Sequence, residues 1–177
     1  MTFDFSSKRY RQGMKAETAF YDLMTDHGYL VTYSSRHEDI FQHIDFKAVL
    51  GDKNMKIDVK SLKKVNGIFT NKWVWIETKG QYGDGWLWSK YPTHYAFQMS
   101  EKEFLVIKKE DLQGIVKEHY PNATIPTTSV EQVIGNTKLY AYTRPRFGNL
   151  PELKNERVIL VKTDYIREKA VLISKKR

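Results

Sequence analysis

Residues 41–62 read Phe41-Gln-His-Ile-Asp-Phe-Lys-Ala-Val-Leu-Gly-Asp-Lys-Asn-Met-Lys-Ile-Asp-Val-Lys-Ser-Leu62. In the first half, Ile44, Phe46, Ala48 and Leu50 alternate with Phe41, His43, Asp45 and Lys47. In the second half, Met55, Ile57, Val59 and Ser61 alternate with Lys56, Asp58 and Lys60. Period-two alternation is the signature of strands with one apolar and one polar face. Gly51-Asp52-Lys53-Asn54 between them has turn chemistry and predicts a four-residue hairpin loop. With Leu50 facing Met55, Asp45 would lie opposite Lys60 and Lys47 opposite Asp58, so the two charged faces coincide. Asp45 and Asp58 would then be diagonal neighbours, with α-carbons roughly 7–8 Å apart.

Two carboxylates and a lysine on one face of a small sheet can hold a divalent cation beside a phosphodiester and position a water for attack. The acidic-x-Lys tripeptide alone does not select this site, because it also occurs at Asp45-Phe46-Lys47, Glu77-Thr78-Lys79 and Glu152-Leu153-Lys154. The strand context of Asp58-Val59-Lys60 distinguishes it.

Upstream, the pattern predicts a helix from about Lys8 to His27, with Ser6 or Ser7 as N-cap. Tyr10, Met14, Glu17, Tyr21 and Met24 draw one stripe along it, and Glu17 interrupts that stripe with a charge. A buried carboxylate needs a partner or a metal, which makes Glu17 a third candidate ligand. The alternative is that Ala16, Ala19, Phe20 and Leu23 form the buried face and Glu17 sits at its solvated margin.

The order of a helix with Glu17, a strand Gly28-Tyr29-Leu30-Val31-Thr32-Tyr33, a strand with Asp45 and a strand with Asp58-Val59-Lys60 resembles the PD-(D/E)xK nuclease superfamily. His43-Ile44-Asp45-Phe46, Ile57-Asp58-Val59-Lys60-Ser61, Trp75-Ile76-Glu77 and Gly85-Trp86-Leu87 are similar to small phage-type members. The resemblance covers about the first 100 residues. It implies an α/β (α+β) restriction-endonuclease-like αβββαβ core, a mixed sheet flanked by helices. In one domain spanning 1–177, the core would occupy about 8–120 and extra C-terminal strands about 121–177.

The resemblance also implies roles. Asp45, Asp58, the Val59 carbonyl and Glu17 would be ligands of Mg2+ or Mn2+, and Lys60 would orient the nucleophilic water and offset transition-state charge. The products would be a 5′-phosphate and a 3′-hydroxyl. Two departures stand out. Asp45 follows Ile44 where the eponymous motif has proline, and the stretch from Gly80 to Tyr95 reads as a turn-rich connection where a second helix is expected.

Composition agrees with a polyanionic partner, which the resemblance implies is DNA. The 177 residues contain 29 Lys and Arg against 21 Asp and Glu, a formal charge of +8, and neutralising phosphates releases counterions. Lys47, Lys56, Lys63, Lys64 and Lys79 are the candidate backbone contacts, with Trp86 as a stacking ring and Tyr82 and Trp88 as further aromatics. His43 and Glu77 are possible additions to the site, Glu77 only if Trp73–Lys79 continues the sheet beside Asp58.

The chain has no cysteine, which excludes disulfides, thiolate zinc sites and a cysteine nucleophile. Its five histidines lack metal-ligand spacing. No apolar run approaches membrane-spanning length and the first residues lack a secretory pattern, so no membrane partner is expected and a cytoplasmic enzyme is the default, in the host cytoplasm if phage-encoded.

Later strands are expected at Thr93–Met99, Glu103–Lys108, Lys138–Thr143 and Arg157–Lys162, with a helix from Leu112 to His119 capped by Asp111. Pro121–Ser129 reads as turns, Arg144–Asn149 as a loop whose two arginines could touch phosphates, and Arg167–Arg177 as a basic tail or solvated terminus. Two alternatives to a phage- or repair-type endonuclease stay open. One is a non-catalytic nucleic-acid-binding protein whose site residues merely form cross-strand ion pairs, and the other a Holliday-junction resolvase, which would require a homodimer.

Overall fold

A computed structural model describes residues 8–65, 68–80, 83–121, 130–134, 137–144 and 156–175. The expectations for Ser6 and Ser7, Tyr82, residues 122–129, Pro145–Asn149 and the last two residues lie outside the described residues.

Helix α1 (Lys8–Asp26) is followed by β1 (Leu30–Tyr33), α2 (Arg36–Gln42), β2 (Phe46–Leu50) and β3 (Lys53–Lys60). After it come the small hairpin β4 (Lys64–Val65) and β5 (Ile68–Phe69), β6 (Trp73–Lys79), a 3-10 turn Trp86–Trp88, β7 (His94–Ser100), β8 (Glu103–Lys108) and α3 (Lys109–His119). The remainder is β9 (Val130–Ile134), β10 (Thr137–Arg144), β11 (Glu156–Lys162), α4 (Thr163–Arg167) and β12 (Val171–Ser174). The result is a mixed α+β architecture. Its central six-stranded sheet has the order β1-β2-β3-β7-β8-β12, and a four-stranded sheet has the order β6-β11-β10-β9. Within the central sheet β3 and β7 run parallel and every other neighbouring pair is antiparallel.

The central sheet is covered on both faces, and alternation along its strands divides their side chains between two cores. Ala16, Phe20, Leu23 and Met24 of α1 pack on Phe46, Ala48, Met55, Ile57, Val59, Ala96, Phe104, Val106 and Ile173. Tyr95, Phe97, Met99, Leu105 and Ile107 point the other way, onto β6, α3, β11 and α4. The buried stripe of α1 is therefore the alternative one. Met14 is exposed and Glu17 lies at the margin of the buried face. The helix ends where Gly28 takes φ 85° and Tyr29 N–H reaches back to Met24 O, at 3.0 Å, a left-handed termination that glycine adopts without steric cost.

Three sequence expectations need correction. First, Phe41 and Gln42 are helical, not strand: Ser35 and Glu38 form a capping box that starts α2, and His43 ends it at φ 55°. Second, the hairpin is tighter than four loop residues. Leu50 pairs with Lys53 and Phe46 with Ile57, and Gly51 at φ 57° makes the two-residue turn feasible. The shift from the expected pairing is two positions, so each side chain keeps its face. Third, Trp73–Lys79 pairs with β11 in the second sheet and does not continue the central one.

The chain beyond 121 is more than an appendage to the core. Val158, Ile159, Leu160 and Val161 are buried, and β12, read from sequence as a tail, closes the sheet edge beside β8. Lys108, not Asp111, stands at the N-cap of α3, and Asp111 falls in its first turn. No described helix is long and apolar enough to cross a membrane.

Phe20 is fully buried, with its ring 5.2 Å from that of Phe104 and 6.1 Å from that of Phe46. Replacing it by alanine leaves a cavity under the strands that carry Asp45 and Asp58. Phe20→Ala is expected to lower unfolding free energy by about 3–5 kcal/mol, read from urea denaturation followed by circular dichroism.

Candidate metal and phosphodiester site

The β2–β3 ladder stops at Phe46 and Ile57, and Asp45 is the first residue beyond it. There Asp45 N–H donates to Ile57 O at 2.9 Å, while its carboxylate Oδ2 accepts the Val59 N–H at 2.6 Å. The side chain thereby takes the place of a ladder carbonyl and is fixed against β3. Asp58 is 2% exposed, and Lys60 donates from Nζ to its Oδ1 at 2.6 Å. Residues 58 and 60 share a strand face, so this pair follows directly from the alternation.

Four ionisable groups meet electrostatically. Burial raises the pKa of Asp45 well above the ordinary carboxylate value; Asp58 and Glu17 add to the rise, and Lys60 and the Val59 N–H oppose it. Burial also raises Asp58, with Lys60 opposing. Glu17 is raised by burial and by the nearby Asp39 and Asp58, again against Lys60. At Lys60, burial alone would favour the neutral amine, but Asp58, Asp45 and Glu77 outweigh it and hold the ammonium above its usual pKa.

When all are ionised, Glu17, Asp45 and Asp58 exceed Lys60 by two negative charges. Asp58 Oδ2 is buried without a hydrogen-bond partner, an orphan that costs free energy unless something positive meets it. The three carboxylates here offer hard oxygen donors, the kind that suits magnesium or manganese. Among the described residues no three His, Cys, Asp or Glu side chains converge as a finished metal-holding group. The structure thus brings Asp45, Asp58 and Lys60 together, with Glu17 within electrostatic reach.

His43 is exposed beside this cluster, in a left-handed conformation uncommon for residues with a Cβ. Partial desolvation lowers its pKa, opposed by Asp58 and Asp39 and reinforced by Lys60. Glu77 lies on another sheet, yet its field reaches Lys60.

Among the expected phosphate contacts, Lys56, Lys63 and Lys64 are exposed and Lys79 is half-buried. Lys47 bridges to Glu38 at 2.7 Å, and that lysine together with the Ser35 cap holds Glu38 down to about 2. Trp86 is engaged differently from a free stacking ring. Lys60 Nζ lies 4.7 Å from its centroid, and the ring packs 4.8 Å from Tyr95 and 6.4 Å from Phe97. Such a contact stabilises the cation by about 0.5–2 kcal/mol, depending on desolvation.

Tyr95 O–H donates to Trp86 O at 2.6 Å, and Gln113 donates to Leu87 O at 2.9 Å, so the tryptophan wall is braced from two elements. Sequence reasoning missed both braces, because they join residues distant in the chain. The one local signal was Gly85. A Cβ there would lie 2.2 Å from Glu77 O, so only glycine lets the chain pass close to β6 and present Trp86. The turn-rich connection is therefore clamped at Gly85.

No family model, curated protein or solved structure matches the chain.

Folding raises the Asp45 pKa, so the folded state binds that proton more tightly than the unfolded chain, and ionisation at neutral pH opposes folding. The opposition is absent below the unfolded carboxylate range and grows as pH rises toward the folded value. Asp45→Asn keeps an acceptor for the Val59 N–H and removes the charge. In EDTA at pH 7 it should stabilise the protein by on the order of 1 kcal/mol, seen as a higher melting temperature in calorimetry, with the gain disappearing near pH 3.

Proposed function

We propose that this chain is a magnesium- or manganese-dependent nuclease that hydrolyses phosphodiester bonds of DNA, an endonuclease of phage or repair type. The observation that carries the proposal is the buried Asp58, held at one oxygen by Lys60, orphaned at the other, and adjoined by a fixed Asp45. When ionised, this cluster holds two surplus negative charges in a low-dielectric setting, which is destabilising unless a cation meets it, and functional sites are where such strain is retained.

The chain order also supports the finer fold reading. Helix α1, the antiparallel β1, β2 and β3, and a parallel return to β7 match part of the αβββαβ pattern of the PD-(D/E)xK superfamily, with the short α2 inserted between β1 and β2. The 3-10 turn and β6 stand in the crossover where that pattern has its second helix.

Asp45, Asp58 and the Val59 carbonyl, with Glu17 beside them, are the groups that would hold the ion. The chemistry a divalent cation supplies at such a site is polarisation of a phosphoryl oxygen and acidification of water. Lys60 is kept protonated by its carboxylate neighbours, so it acts as a hydrogen-bond donor and positive charge and not as a base. Backed by Trp86, its ammonium is confined to the edge of the carboxylate pair, where it can orient an attacking water and offset charge on the phosphorane. Exposed Lys56, Lys63 and Lys64 supply a basic rim for the backbone.

The Asp58–Lys60 pair also favours a second reading, a nucleic-acid-binding protein without catalysis, in which the ion pair is purely structural. Labelled duplex, branched and single-stranded DNA incubated with magnesium or manganese separates the two readings. Cleavage that EDTA abolishes is expected, and Lys60→Ala should reduce its rate by roughly 10²–10³ or more, the cost of losing one transition-state donor. Binding without cleavage of any substrate under either metal would leave only the second reading.

Protons compete with the ion for the raised carboxylates. Magnesium affinity, measured by titration calorimetry, is therefore expected to weaken as pH falls, by roughly tenfold per pH unit for each proton displaced.

A further inference from the structure

The β4–β5 hairpin directly follows Lys60 and does not join either of the larger sheets. It is two residues deep on each side, pairing Lys64 with Phe69 and Val65 with Ile68. A hairpin this small is marginal by itself, yet its base is anchored from four places. Gln12 of α1 donates its side-chain amide to Leu62 O, and Leu62 N–H donates to Gln98 of β7 at 3.2 Å. Trp75 Nε1 of β6 donates to Lys64 O at 3.3 Å, and Thr70 N–H closes the base on Lys63 O at 3.4 Å.

What these anchors hold out is apolar. Ile68 is 71% exposed and Phe69 is 49% exposed. From Val59 to Ile76 the chain carries four lysines, Lys60, Lys63, Lys64 and Lys72, and no acidic residue. Lys64 Nζ sits 4.8 Å from the Phe69 ring centroid, so positive charge lies against the exposed apolar surface. Exposed apolar side chains on a lysine-rich segment fit a nucleic acid at a point where bases can be unstacked, the arrangement by which wedge residues enter a base step.

We infer that the β4–β5 hairpin is a wedge that seats a duplex where its strands part, with Ile68 and Phe69 against the last base pair and Lys63 and Lys64 on the flanking phosphates. This deepens the nuclease reading and rests on it: the preferred substrate is DNA with a boundary between duplex and single strand. Three residues lie between Lys60 and Lys64, so their α-carbons are four steps and at most about 14 Å apart. Duplex advances about 3.4 Å per step along a strand. Cleavage should therefore fall at a fixed position within roughly four or five nucleotides of the boundary.

The test uses the full chain and the variant carrying Ile68→Ser and Phe69→Ser, surface changes that leave both cores intact. A splayed-arm duplex carries 2-aminopurine at the boundary base pair and a label on each strand, and uninterrupted duplex is the reference. In EDTA, the wild type should raise 2-aminopurine fluorescence on binding by severalfold and the variant should not. With magnesium, the wild type should prefer the splayed substrate at least tenfold, and the variant should lose that preference and its fixed cut position. Fluorescence unchanged by wild type, or equal in both proteins, overturns the wedge whether or not DNA is cut. A fluorescence rise confined to wild type, with no cleavage of either substrate, upholds the wedge and removes the nuclease reading. Sedimentation showing a wild-type dimer and a monomeric variant would instead assign the two side chains to a second copy of the chain and overturn the inference.

Discussion

The structure depends on a charge that cannot reach water. Asp58 lies in the middle of a sheet covered on both faces, and an ionised carboxylate there is tolerated only with a close partner. Lys60 is that partner, two residues along the same strand, and it is in turn desolvated by the Trp86 ring. This one contact ties together β3, the 3-10 turn and, through the Tyr95 hydrogen bond, β7. Its arrangement makes chemical sense of a chain that otherwise has an ordinary pair of apolar cores.

Asp45 is governed by the same constraint from the neighbouring strand. Its carboxylate satisfies a backbone N–H of β3 at the point where the ladder ends, so the strands part just where an ion or a phosphate would have to approach. Gly85 does similar work at a distance: by admitting a close pass beside Glu77 it fixes where Trp86 stands, and so where the ammonium rests. Positioning here is done by backbone geometry, and the side chains with chemistry are few.

The shared strand face of Asp58 and Lys60 was legible in the sequence because strand alternation is a local property. Ile57 and Val59 on one face with Asp58 and Lys60 on the other is fixed by period two, and it survived an error of two positions in the hairpin register, since only an odd slip exchanges faces. The short helix α2 was not read, because Phe41 and His43 were taken with the alternating run while the Ser35 and Glu38 capping box just upstream was not weighed. The placement of β6 beside β11, the two aromatic braces of Trp86 and the docking of β12 on β8 depend on contacts between distant segments. Periodicity carries no information about such pairings. Glu17 shows both sides of this. Its helix was plain, but which stripe faced the sheet was decided by the fit of Ala16 and Phe20 between strands, a matter of packing volume.

The C-terminal end of α1 meets the last described strand: His27, just after the helix, contacts Ser174 O at 2.8 Å, and Ile173 lies in the same core as Phe20. The parallel return from β3 to β7 encloses residues 61–93, and closing such a loop costs about 3 kcal/mol of chain entropy before any pairing compensates it. During synthesis, the hairpin bearing both aspartates can form early, while the α1 face of the sheet is finished only when Ile173 has left the ribosome. A chain that stops short of Ile173 would carry the acidic pair without the strand that completes the core behind it.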